Sequence, residues 1–556
     1  MDHKKEILKI LEKETGQKDL NLEIPPDTSL GDFAFPCFSL AKVYKKAPQQ
    51  IAEELGKKIQ LNEFIDKIEV KGPYLNFFIH KQGIAEDTIK KVLKEKDCYG
   101  SSKPNKDKIM VEFSQANTHK AFHVGHIRGT SLGESLARIL EFQGYKVTRA
   151  NYQGDTGMHV AKWIWCYKRF HSKEDIKKDE AWFAKIYVDA IQRLAKDETL
   201  QAEVDKINQA LDEKSDKDLL ALWKNTRKIC LESLESIYKD LGARFDRYFF
   251  ESQLEEDAKK IVKKLLEKNI AEISDDATII KFKDEHLGVW VLLRKDGTVL
   301  YSAKDIALAA RKFDEFKIDT SIYVVGKEQE HHFMQLFKTL ELMRFKQAKN
   351  CRYVPVSLVK LPWGKMSSRT GDNILYSAFK DELIEYAKQV IKKRFPELDK
   401  KELDKRALAI SIASMKYSML KQNPNKEIVF NKEEAMRFEG DTGPYLQYSY
   451  ARASSIVRKS KSGTRYQIPN LSDQEASLIK FIQEFPSEAE KAAAALIPAL
   501  VANYAYRLCQ LFNEFYVNCK VIGTDEEPFR LALVEIFRIT LKNSLNLLGI
   551  LPLEEM

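Results

Sequence analysis

A short apolar strand, a tight turn and an amphipathic helix follow one another between Ile109 and Leu140, with His123-Val124-Gly125-His126 at the turn. This junction constrains the fold more than any other stretch. Ile109-Met110-Val111-Glu112-Phe113 reads as a buried strand, and Leu132, Leu136, Ile139 and Leu140 recur at helical spacing behind the histidines. Such a turn aims backbone N–H groups and the positive end of a helix dipole at any anion above it, so it predicts a phosphate site. Gly125, lacking a side chain, is expected to let a flat base approach the backbone.

From Lys108 onward strands alternate with helices, the pattern of a parallel sheet with ligands at its carboxyl ends. A charged helical stretch from about 170 to 240 interrupts it. The sheet is expected to resume with Thr278-Ile279-Ile280, a hairpin turning at Asp296-Gly297, and Ile322-Tyr323-Val324-Val325. Residues 1–98 mix an amphipathic helix around Ile7, Leu8 and Leu11 with strand-like runs such as Tyr74–Ile79, and residues 99–105 read as a linker. Residues 106–355 form the α/β unit, 356–435 a connecting helical region, and 436–556 a helix bundle marked by Leu500, Tyr504, Leu508, Leu511, Leu541, Leu545 and Leu548.

The 556 residues, 44% of them hydrophobic, are enough for several cores. A net charge of +9 permits a polyanionic partner without demanding one. Seven scattered cysteines without a Cys-x-x-Cys pair point to reduced thiols in a cytosol and away from a zinc ribbon or disulfide framework. The first residues do not read as a signal peptide, and the longest apolar run, Ala492 to Ala502, contains Pro498 and is too short for a bilayer. A soluble protein is expected.

Some 240 residues after the histidines comes Lys365-Met366-Ser367-Ser368-Arg369. Alone, this would read as a solvated lysine in a polar loop. Paired in this order, the two motifs suit attack on the α-phosphate of ATP. His123 and His126 would donate to oxygens that gain charge, while Lys365 and Arg369 reach the departing pyrophosphate. The competing reading is a metal site at His119, His123 and His126. It is disfavoured because Gly125 breaks the helical surface and no cysteine or carboxylate lies nearby as a further ligand.

The pair resembles the HIGH and KMSKS motifs of class I aminoacyl-tRNA synthetases. Ser114-Gln115-Ala116-Asn117-Thr118-His119-Lys120, Asn151-Tyr152-Gln153-Gly154-Asp155-Thr156-Gly157 and Ser368 in place of a second lysine are similar to the arginyl-tRNA synthetase family. The resemblance runs over nearly the whole chain. It implies an α/β Rossmann-type parallel-sheet core with a helical insertion, an N-terminal small α+β domain touching the tRNA elbow, and a C-terminal all-α anticodon-binding bundle. It also implies an arginine–tRNA ligase activity that uses ATP with Mg2+ as its counter-ion and no tightly bound metal. L-arginine and tRNA(Arg) would be the partners, and the protein a cytoplasmic monomer with no membrane contact.

By the same resemblance Glu251, Tyr301, Asp305 and Gln329 hold the arginine side chain and Asn117 its α-amino or carboxyl end, in line with the carboxylate oxygens a guanidinium needs. Gly125, Met366, Ser367, Arg369 and His332 fall to ATP. Glu328 stands where many class I enzymes have an aspartate for the ribose. Lys120, three residues before His123, is expected to supply the charge that Ser368 lacks. Arg452, Arg458 and Lys459, with Tyr450 and, further on, Lys461, Arg465 and Tyr466, offer charge and rings to RNA, although such a run is equally a solvated face. The insertion is either a solvated helical hairpin or a holder of the acceptor end. Two other functions compete: a different class I ligase or free-standing nucleotidyltransferase, and a non-catalytic RNA-binding paralogue.

Overall fold

Two strands with nearly unbroken apolar runs, β4 (Lys108–Glu112) and β10 (Thr320–Gly326), lie side by side in the middle of a parallel sheet. Such runs are what strands covered on both faces require. The order is β11-β10-β4-β5-β6, with β5 Lys146–Gln153, β6 Arg247–Phe250 and β11 Cys351–Val356, and every neighbouring pair is parallel. The chain winds one way from β4 to β6 and the other from β10 to β11. The crevice between the carboxyl ends of β4 and β10 is therefore the switch point, where such sheets take ligands.

The computed structural model describes the chain apart from residues 1–2, 24, 26–29, 63, 362–363, 366–373 and 461–465, and residues 361, 364 and 365 by backbone alone. It divides into two compact units, one of residues 1–99, 455–484 and 510–540, the other of 100–454, 485–509 and 541–556. The four C-terminal helices, Gly443–Lys459, Asp473–Ala495, Ala499–Asn518 and Glu527–Leu547, contribute to both.

In the first unit, strands β1 (Phe33–Pro36), β2 (Ile65–Lys71) and β3 (Tyr74–Ile79) form an antiparallel sheet. The helix His3–Thr15 buries Ile7 and Leu11 in the same core as Phe35, Leu75 and Phe77. Phe512 and Phe537 stack in parallel 3.8 Å apart.

In the second unit the helix Val124–Phe142 crosses from β4 to β5. Arg149 of β5, 1% exposed, donates from Nε to Glu134 at 3.0 Å and from its terminal nitrogens to Glu141. The two acids stand seven residues apart on one helix face, so a single buried guanidinium fastens that helix to the sheet.

Two expectations differ from the structure. Thr278-Ile279-Ile280 is outside the parallel sheet: β7 (Glu272–Ser274), β8 (Ala277–Lys281) and β9 (Val289–Leu293) make a separate antiparallel sheet. Asp275 and Asp276, both left-handed at φ 49° and 64°, fold β8 straight back on β7 before any crossover can form. Asp296-Gly297 does turn the chain as a hairpin, with Arg294 N–H donating to Thr298 O and Leu300 N–H to Leu292 O, both at 3.0 Å, and Leu293 bridged to Val299. The helical insertion begins at Met158, not near 170, because the buried run Val160–Cys166 continues the chain as helix directly from Gly157. Its further long helices are Glu180–Lys196, Gln201–Asp212 and Lys217–Asp240. No helix among the described residues is long and apolar enough to cross a membrane.

Candidate active site

His123 is the N-cap of the helix Val124–Phe142, and its Nδ1 accepts the Gly125 N–H at 3.2 Å. In return Nδ1 of His126 accepts the His123 N–H at 3.1 Å. Two imidazoles thus form the reciprocal capping box that Ser and Glu usually form. A ring nitrogen that accepts carries no proton, so each neutral ring holds its proton on Nε2. Burial pushes His123 down to about 4. It holds His126 well below its ordinary value, with His123 and Lys120 adding repulsion. Both rings are neutral N–H donors at neutral pH.

This geometry corrects one expectation. The first-turn amides do not make an open anion nest: Gly125 N–H goes to His123 Nδ1 and His126 N–H to His123 O at 2.8 Å. An anion meets imidazole Nε2–H groups instead. The His123 ring stands 3.0 Å from where a Cβ at Gly125 would be, so the glycine leaves room for that imidazole.

The histidines open on a cavity of about 680 Å³ that Asn117 and Lys120 also line, with Ala184, Lys185 and Gln192 of the insertion helix opposite. Lys120 Nζ lies 5.6 Å from the centre of the Tyr187 ring. Leu375 bridges to His123, bringing the end of the second motif's segment to the first. The Lys365 backbone pairs with Lys360, whereas the Lys365 side chain, Met366, Ser367, Ser368 and Arg369 lie outside the described residues.

The three-histidine metal reading fails on position. His119 turns inward, with Nε2 2.8 Å from Thr226 Oγ1 and Nδ1 3.0 Å from Thr118 Oγ1. Among the described residues Cys166, His171 and Asp189 bring possible ligand atoms within 4.8 Å of one another. Arg193 already ion-pairs with Asp189 at 2.8 Å, and His171 lies between Glu174 and Asp189. Those ion pairs already engage both carboxylates.

A second cavity, of about 460 Å³, lies at the switch point. Asn117 lines both cavities. Its Oδ1 sits 2.1 Å from where a Cβ at Gly154 would be, so any side chain at that position would displace the Asn117 amide. Glu251 opens the short turn after β6, and Asp155 fixes that turn, its Oδ1 accepting Ser252 N–H at 2.9 Å and its Oδ2 Ser252 Oγ at 2.7 Å and Arg227 Nε at 2.7 Å. Tyr301 and Asp305 stand one turn apart at the start of the helix Tyr301–Phe316 and line the same cavity as Gln329. Glu328 also lines it.

The structure thus brings together Asn117, Glu251, Tyr301, Asp305 and Gln329. It also places His332 here, in the switch-point cavity and not with the histidine motif, its Nε2 2.6 Å from Asp305 Oδ2. The cause is the helix Glu330–Leu342, which starts directly after Gln329 and turns His332 onto the wall that Asp305 occupies.

Sequence reasoning missed the cavity's inner end. Glu112 and Lys312, 3% and 0% exposed, form an ion pair there. A glutamate inside the buried run 109–113 was the available signal, since a buried charge requires a partner. Burial pushes Glu251 up to about 7, Lys304 opposing and Asp305 adding. The Tyr152 hydroxyl and His332 Nδ1, both buried, have no hydrogen-bond partner among the described residues. The cavity therefore suits a long cation with several fixed donors and some room for polar contacts.

Of the residues expected at RNA, Tyr450 is corrected. It is 2% exposed and donates its hydroxyl to Glu554 at 2.9 Å, so its ring cannot stack on a base. Arg452 lies over the Tyr448 ring at 4.7 Å and donates to its hydroxyl at 3.0 Å. Arg458 and Lys459 are exposed at the end of their helix, and Lys461 and Arg465 lie outside the described residues.

A family model described as tRNA synthetases class I (R), catalytic domain, matches residues 88–432. A DALR anticodon binding domain matches 446–556, and an arginyl tRNA synthetase N terminal domain 2–79. Over the full length of both proteins the chain is 37% identical to an arginine–tRNA ligase of Clostridium acetobutylicum and 36% identical to that of Clostridium perfringens. The fold is similar to the arginyl-tRNA synthetase of Thermus thermophilus, with a TM-score of 0.83 and 26% identity over 100% of each chain. With a capped histidine pair beside a carboxylate-lined cavity and these matches along its whole length, the chain belongs to the arginyl-tRNA synthetase family of class I.

Proposed function

We propose that the chain joins L-arginine to tRNA(Arg) at the expense of ATP. The arginine carboxylate attacks the α-phosphorus, the bond to pyrophosphate breaks, and the 3′-terminal adenosine of the tRNA then takes the arginyl group as AMP leaves. The observation that carries this is the pair of cavities sharing Asn117: one lined by carboxylates for a guanidinium, the other by two neutral Nε2–H donors for a phosphate that gains charge. Asp305 and Glu251 face the side chain, Tyr301 and Gln329 flank it, and Asn117 takes the α-amino or carboxyl end. His332 orients Asp305. Gly125 seats His123, and Lys365, Met366, Ser367 and Arg369 handle ATP with Mg2+ as counter-ion. Residues 1–98 serve as the tRNA-elbow domain, 106–355 as the catalytic domain, 356–435 as the connecting region and 436–556 as the anticodon domain of a cytoplasmic monomer. Pyrophosphate exchange with each amino acid, with and without tRNA, tests the reading. Exchange with arginine alone is expected, and exchange with another amino acid, or none under either condition, overturns it.

Lys120 supplies the cation that Ser368 does not, and its place in the histidine cavity supports that role. Lys120→Ala is expected to lower exchange turnover by about 10²-fold, the scale of losing one preorganised phosphate contact, with the thermal midpoint unchanged. Near-normal exchange makes it a loop lysine. For RNA, Arg458→Glu with Lys459→Glu is expected to raise the Michaelis constant for tRNA several-fold and flatten its salt dependence, because fewer phosphate counterions are released. An unchanged salt slope assigns this end of the helix to solvent.

A further inference from the structure

Both backbone polar groups of Phe122, the residue before His123, are held from other parts of the chain. Its carbonyl accepts the Tyr376 N–H at 2.9 Å, beside the Leu375–His123 bridge, so the segment after the signature loop is fixed on the histidine motif. Its N–H donates to Glu180 Oε1 at 3.1 Å. Glu180 is the first residue of the insertion helix that walls the histidine cavity, and the amide and hydroxyl of Ser377 also favour its ionised form. The Phe122 ring stacks on His126 at 4.9 Å and 28°. Motif, insertion and signature segment therefore meet at one carboxylate.

Resting on the ligase reading above, we propose that Glu180 is a positioning residue for adenylate formation. It holds the Phe122 backbone, and through it the stacked His126 donor and the Leu375–Ser377 end of the signature segment, in one fixed arrangement. The groups bonded to it, Phe122 N–H and the Ser377 amide and hydroxyl, are donors, which an acceptor-only carboxylate satisfies fully and a protonated carboxyl only in part. Asp179 adds repulsion from the same helix. Lys120 and His119 of the motif loop and Cys230 of the helix Lys217–Asp240 line the small cavity beside it, and Tyr376 faces it from the helix Tyr376–Arg394. Burial keeps His119 neutral at about 3 and Cys230 at about 12, and also raises the Tyr376 phenol, so Lys120 and Asp179 are its charged neighbours near neutrality. Burial pushes Glu180 itself up to about 7. The junction is complete above that pH and loosens as pH falls through it.

Glu180→Gln and Glu180→Ala test this in the full chain. Exchange turnover is measured at saturating arginine, with tRNA present, between about pH 6 and 9, where it reports groups of the substrate complex. Arginine affinity is measured by calorimetry. Glu180→Ala is expected to lower turnover about tenfold, on the scale of a displaced catalytic donor, with arginine affinity within about twofold of wild type. Wild-type turnover should decline below about pH 7, and Glu180→Gln should lose that decline on a lower plateau. Glu251 does not imitate it, because bound arginine keeps that carboxylate ionised, and His123 at about 4 titrates too low. Full turnover in Glu180→Ala, or an acid limb retained in Glu180→Gln, overturns the inference. Should Glu180→Ala not fold, the isosteric Glu180→Gln decides by the same two readouts. A wild-type chain without arginine-dependent exchange refutes the ligase reading instead.

Discussion

Asparagine in place of Asp305 is expected to weaken arginine binding by about 2 to 5 kcal/mol, roughly 30- to 5,000-fold in Kd. The amide preserves the shape of the side chain but leaves a guanidinium short of a counter-charge. It also turns the acceptor that His332 approaches at 2.6 Å into a group that is half donor. Glu251 cannot take over, because its carboxyl, raised by burial to about 7, is partly protonated in the empty cavity at neutral pH. The sign follows from that: the carboxylate form that binds arginine is lost as pH falls through about 7, so kcat/KM for arginine should decline on the acid side, and the decline should begin at lower pH in Asp305→Asn, where the repulsion that Asp305 adds to Glu251 is gone. Titration calorimetry that finds arginine affinity intact in Asp305→Asn would move the guanidinium to another wall.

His126→Ala should slow adenylate formation by about 10²- to 10³-fold, roughly 3 to 4 kcal/mol of transition-state stabilisation, with arginine affinity almost unchanged. The donor meets charge that exists fully only in the transition state. Part of any loss could come from the cap, since His126 Nδ1 accepts the His123 N–H. A lost cap costs only about 1 kcal/mol, however, so it cannot produce the whole effect. A raised dissociation constant for arginine with normal turnover would place His126 outside the chemistry.

The parallel sheet and the strand-turn-helix place of the histidine motif are legible because apolar period and turn chemistry are local properties. Val324 and Val325 announced β10, and Ile109 to Val111 announced β4, without tertiary help. The β7–β9 sheet was misassigned because an apolar triplet such as Thr278-Ile279-Ile280 reads alike in a parallel core and in a hairpin, and the decision fell to Asp275 and Asp276. Acidic residues that line the switch-point cavity are singled out through likeness to a family, since each alone resembles a surface carboxylate. Partnerships were invisible wherever they span long separations. Glu112 with Lys312 lies 200 residues apart, Arg227 with Asp155 72, and Glu180 with Phe122 58. Tyr450 misled for the same reason. An aromatic ring among arginines looks available for stacking until Glu554, 104 residues later, engages its hydroxyl.

Asn117 belongs to the wall of both cavities, and its amide oxygen fills the space that a side chain at Gly154 would take. One side chain shared by two binding reactions is a thermodynamic link between them. By linkage, the factor by which bound arginine changes the affinity for ATP through Asn117 equals the factor by which bound ATP changes the affinity for arginine, and the order of addition cannot change it. Cooperativity between the two small substrates therefore needs no domain closure: a common amide is sufficient to carry it.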